Sequence, residues 1–75
     1  MKNAKEILVK ADIMDISDMI SKVAAHPHLK DKSVNLRYMG GTKDENEIIS
    51  ADFKVSSDDE SKIDEIVKLI RKEFE

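Results

Sequence analysis

Residues 5–13, KEILVKADI, decide the fold. Ile7, Val9, Ala11 and Ile13 alternate with Lys10 and Asp12, which is the period of a half-buried strand. The same stretch also admits a helix. Ala4, Ile7, Leu8 and Ala11 fall at helical spacing, and Asn3 with Glu6 has the form of a capping box. Two arguments favour the strand. Its β-branched residues gather on one face. A hairpin further along the chain also needs a third strand, because two strands alone are marginal in water.

Outward from this stretch, Asp15 reads as a helix N-cap, with Asp18 in the first turn. Ile16, Met19, Ile20, Val23 and Ala24 then make a 3.6-period stripe over residues 16–26. Pro27 ends it, since the residue before a proline is pushed out of the helical region. Residues 26–32, HPHLKDK, read as a connector with Leu29 turned back onto the core. Residues 33–39, SVNLRYM, alternate again, with Val34, Leu36 and Tyr38 facing one way. GGTKDEN (40–46) reads as a polar turn whose glycines can take positive φ. In residues 47–56, EIISADFKVS, Ile49, Ala51, Phe53 and Val55 point inward, and Asp52 and Lys54 outward. The two runs form a hairpin with more than a two-residue loop.

The last stretch, residues 57–74, is an amphipathic helix. Ser57 and Glu60 have the spacing of a capping box, and Ile63, Ile66, Val67, Ile70 and Phe74 form the apolar stripe with Leu69 at its edge. Asp58, Asp59 and Glu60 sit at the positive end of the helix dipole, with Lys68, Arg71 and Lys72 near the negative end. Asp58–Lys62 and Asp64–Lys68 are i, i+4 pairs. The order β-α-β-β-α predicts an α+β two-layer sandwich over residues 1–75, with both helices on one face of a three-stranded sheet. The split arrangement puts residues 47–56 in the middle, and a meander with 33–39 in the middle is the alternative. Either leaves one sheet face bare, carrying Leu8, Lys10, Asp12, Asn35, Arg37, Met39, Ile48, Ser50, Asp52 and Lys54.

Composition narrows the function. Seventy-five residues make one domain with a small core. No Cys is present, so disulfides and thiolate metal sites are excluded. Thirteen Lys and Arg against sixteen Asp and Glu give a net charge of −3, which argues against duplex binding through phosphate neutralisation. The aromatics Tyr38, Phe53 and Phe74 are too few for a base-stacking platform. Charges break every apolar run, so neither a secretory segment nor a membrane span is expected, and the location expected is cytoplasmic.

The chemistry-bearing residues are few. His26 and His28, with nearby Asp31, carry ordinary zinc-ligand atoms. The intervening Pro27 does not aim both rings at one point, and no third His or Cys exists, so no metal is expected. Gly40-Gly41-Thr42-Lys43 lacks the spacing of a phosphate loop. No Ser sits in a G-x-S-x-G elbow. An enzyme and a cofactor are therefore not expected. The acidic run Asp58, Asp59, Glu60, Asp64 and Glu65 reads either as a solvated helix face or as a ridge that docks on a basic partner. The alternative site is the bare sheet face, through Lys10, Arg37, Met39 and Lys54.

Val34-Asn35-Leu36-Arg37-Tyr38 resembles the V-x-V-R-Y strand of DinI-like proteins, small DNA-damage-inducible modulators of the recombinase RecA. Lys62-Ile63-Asp64-Glu65-Ile66-Val67 is similar to that family's [KR]-I-x-E-I-[LV] segment in the last helix. The family shares the β-α-β-β-α order at about this length. The resemblance implies a non-enzymatic regulator that contacts a RecA-like filament through an acidic C-terminal helix, whose carboxylates stand in for DNA phosphate. Three rival readings stand beside it. They are a mobile-element inhibitor of a host nucleic-acid enzyme, a nucleic-acid binder using the open sheet face, and a homodimer pairing bare faces or edge strands.

Overall fold

A computed structural model describes residues 2–74. The elements are β1 (Asn3–Ala11), α1 (Ile13–Ala24), a four-residue α2 (Pro27–Lys30), β2 (Val34–Lys43), β3 (Ile49–Ser57) and α3 (Glu60–Lys72). The sheet order is β1-β3-β2, and β3 pairs antiparallel with both neighbours. The split arrangement is therefore the observed one.

Alternation places the core on one sheet face. Ile7, Val9 and Ala11 from β1 and Ala51, Phe53 and Val55 from β3 are buried, with Val34 of β2. Ile16, Met19 and Val23 of α1 and Ile63, Ile66, Val67 and Ile70 of α3 close over them. Leu29, Leu36, Leu69 and Phe74 pack at the margin. Each large apolar side chain moved from water into this layer contributes about 1.5–3 kcal/mol before ordering costs.

Four details differ from the sequence expectations. First, β1 runs over Asn3–Ala11 rather than 5–13, and α1 starts at Ile13 with Asp12 as its N-cap, not Asp15. The Asp12 carboxylate accepts the Asp15 amide at 2.8 Å, and the Asp12 carbonyl accepts the Ile16 amide at 3.1 Å. Ile13 continues the alternation on paper, but in the first helical turn it leaves the strand and is 61% exposed. Second, α1 ends at Ala24, and the connector contains α2. Pro27 occupies the first turn of α2, where its missing N–H is no loss, and His26 caps it by accepting the His28 amide at Nδ1, 3.1 Å away.

Third, Gly40 and Gly41 lie inside β2, not in the turn. Tyr38 pairs with Phe53 and Gly40 with Asp52, so Met39 is the extra residue of a bulge. Gly40 takes φ 118°, while Gly41 is needed for close approach. A Cβ on Gly41 would stand 2.7 Å from the Ser50 carbonyl oxygen. The turn itself is built by Asp44, whose carboxylate accepts the amides of Asn46 (2.8 Å) and Ile48 (3.0 Å). Fourth, Ser57 is the last residue of β3, and Asp59 caps α3. The expected Ser57–Glu60 capping box is not formed.

Candidate functional site

The five carboxylates singled out at the start of α3 have different local surroundings. Asp58 accepts the Lys2 amide at 2.9 Å and so ties the start of β1 to the β3–α3 connection. Asp59 accepts from the Ser61 amide (2.9 Å) and hydroxyl (2.6 Å). Those two bonds, the hydroxyl's first, hold its carboxyl below the usual carboxylate range. Glu60, Asp64 and Glu65 are exposed. Glu60 and Asp64 are four residues apart, so they share a helix face and reinforce each other's negative field. The i, i+4 pairs expected within α3 are not among its ion pairs. Its contacts reach other elements instead, with Glu73 bound to Lys22 at 2.8 Å and Glu65 to His28.

Glu65 meets the histidines. Its Oε2 accepts a hydrogen bond from His28 Nε2 at 2.8 Å and lies 3.9 Å from His26 Nε2. The two ring centroids lie 4.6 Å apart, with their planes tilted by 50°. Asp31, the acidic neighbour suggested by the sequence, is not the group that joins them. Its carboxylate accepts the Ser33 amide at 2.8 Å, and the bonds to Ser33 lower its pKa. The third group beside the histidine pair therefore comes from 37 residues further along the chain. No local motif could have pointed to it.

The sheet face away from the helices carries the alternative site. Register sets Glu6, Lys54 and Arg37 in one row across β1, β3 and β2. Leu8, Asp52 and Gly40 form the next row, and Lys10, Ser50 and Thr42 the one after. Lys10, Arg37 and Lys54 thus share this face, as expected, and Leu8 is 57% exposed on it. Asp12 leaves the list because it caps α1, Ile48 lies in the turn before β3, and Met39 sits on the bulge.

On the helix side, a groove of about 260 Å3 opens between α1 and the far end of the sheet, lined by Ile13, Ile16, Ile20, Tyr38, Ile49, Ala51 and Phe53. It exists because the row Val9–Ala51–Gly41 has little side-chain volume and Ile13 leaves the strand. Among the described residues no helix is long and apolar enough to cross a membrane. No protein-family model, no curated protein and no solved structure matches this chain.

Proposed function

We propose that this protein is a non-enzymatic interaction module, a DinI-like regulator that docks on a RecA-like recombinase filament through the acidic first half of α3. The observation that carries the reading is the pair Glu60 and Asp64. Both are exposed on one face of a helix whose opposite face is fully committed to the core. Asp58 and Asp59 are occupied in holding the helix start, so they shape the surface more than they contact a partner. The likeness of residues 34–38 and 62–67 to the DinI-like pattern supplies the class of partner. Attraction between such a face and a basic groove acts mostly on association rate, and salt weakens it.

The test is the association rate with recombinase filaments, for wild type and for Glu60→Lys/Asp64→Lys, at low and high salt. The expected result is fast, salt-sensitive association by the wild type and slow, salt-insensitive association by the variant. Equal rates at low salt would overturn the reading.

One observation favours a second surface. Arg37 and Lys54 lie directly opposite each other on the open sheet face, where like charges repel, and the Glu6 carboxylate across from Lys54 on its other side stands two strands away from Arg37. An anionic partner there would relieve the repulsion. A salt-dependent shift of bare single-stranded DNA by the protein, lost in Arg37→Ala, would move the assignment to this face.

A further inference from the structure

His26, His28 and Glu65 each offer one ligand atom, and the three atoms lie within 4.8 Å of one another. We propose that these residues bind one divalent transition-metal ion of the zinc class, at the surface where α2 meets α3. Tetrahedral zinc, with bonds near 2.0–2.2 Å, sets neighbouring ligand atoms about 3.3 Å apart. The separation from His28 Nε2 to Glu65 Oε2 is 2.8 Å, and that from His26 Nε2 to the same oxygen is 3.9 Å. The two distances bracket the required value, and the remaining pair, His26 to His28, lies within 4.8 Å, so the rings as well as the carboxylate must shift by about an ångström to close on one ion.

The Glu65 carboxylate can make its part of that adjustment freely, because its side chain is 59% exposed, and the His26 and His28 side chains, 26% and 21% exposed, keep some room to turn. Pro27 fixes the backbone between them, and Leu29 packs on the core. Two imidazole nitrogens and one carboxylate suit zinc and its first-row neighbours, whereas magnesium prefers oxygen donors and retained water. Three protein ligands leave a fourth position for water.

Binding has a specific local consequence. A neutral imidazole has one N–H and one lone pair. His26 Nδ1 already accepts the His28 amide, so the ring's proton lies on Nε2, the nitrogen nearer Glu65. An ion taken at Nε2 uses that nitrogen's lone pair, so the neutral ring carries its proton on Nδ1 instead; Nδ1 then donates rather than accepts, and the His28 amide loses its cap. The ion thus exchanges one capping bond of α2 for a cross-link between residues 26–28 and α3. The inference does not depend on the docking reading, which rests on Glu60 and Asp64.

The experiment titrates Zn2+ into the full chain carrying no affinity tag, by calorimetry and by amide resonances, with circular dichroism confirming that each variant is folded. One ion per chain is expected. His28→Ala and Glu65→Gln should each weaken binding at least about tenfold, the lower end of what even outer-shell partners are worth. Asp31→Asn should leave affinity unchanged, Mg2+ should not compete, and the His28 amide should move on saturation. Absence of saturable binding, or an affinity indifferent to His28→Ala and Glu65→Gln in folded variants, would overturn the proposal.

Discussion

Ser57 is a buried polar residue, 1% exposed, and its hydroxyl joins three segments. It donates to the Ser33 carbonyl at 2.6 Å, ahead of β2, and accepts the Asp59 amide at 3.1 Å, at the start of α3. Ser57→Ala leaves both groups short of a partner at a part-buried junction. A loss of about 1–3 kcal/mol is expected from the urea midpoint. Ile66, fully buried at the centre of the α3 stripe, should cost about 2–5 kcal/mol on truncation to Ala, the range for large-to-small core changes. Gly41→Ala forces a methyl group against the β3 backbone, and overpacking of this kind costs about 1–3 kcal/mol. Asp59 adds a pH dependence. Its folded pKa lies below the ordinary value of 3.8, because of the Ser61 bonds. Its contribution is therefore present above that value and is lost as pH falls through the lower folded value. Asp59→Asn, which keeps a capping oxygen, should flatten the acid limb of a stability-against-pH curve. An unchanged limb would show that Asp59 does not contribute to it.

At the scale of elements, the strands and the two long helices were legible because burial writes a period into each of them. Residues 3–11 and 49–57 alternate, and residues 60–72 repeat every three to four. The boundaries were less legible, because several residues compete for each cap. Asp12 and Asp15 both precede apolar positions of α1. Asp12 wins because its carbonyl and carboxylate are both placed to accept the first helical amides. Ser57 and Asp59 compete in the same way at α3, and Ser57 is drawn instead into the sheet by the Ser33 carbonyl. The glycine pair looked like a turn because glycine marks turns, but register against β3 uses it for a bulge and a close approach. Backbone chemical shifts check the β1–α1 boundary. Extended values through Ala11 and helical values from Ile13 are expected, and an extended Ile13 would contradict Asp12 as the cap.

For the whole molecule, the layer order followed from sequence, since two amphipathic helices and three one-faced strands leave few arrangements. The site was only partly legible. The acidic residues were visible, but not the assignment of Asp58 and Asp59 to local bonds or of Glu65 to the histidines, which depends on contacts between distant segments. Of the five carboxylates, the two that are exposed and outside these contacts are Glu60 and Asp64. The most direct measurement is carbodiimide labelling of carboxylates, read by mass spectrometry, for the protein alone and bound to recombinase filaments. Glu60 and Asp64 should become protected in the complex, while Glu6 and Asp52 on the open sheet face stay reactive. Protection of Glu6 and Asp52 with Glu60 and Asp64 still reactive would contradict docking through α3.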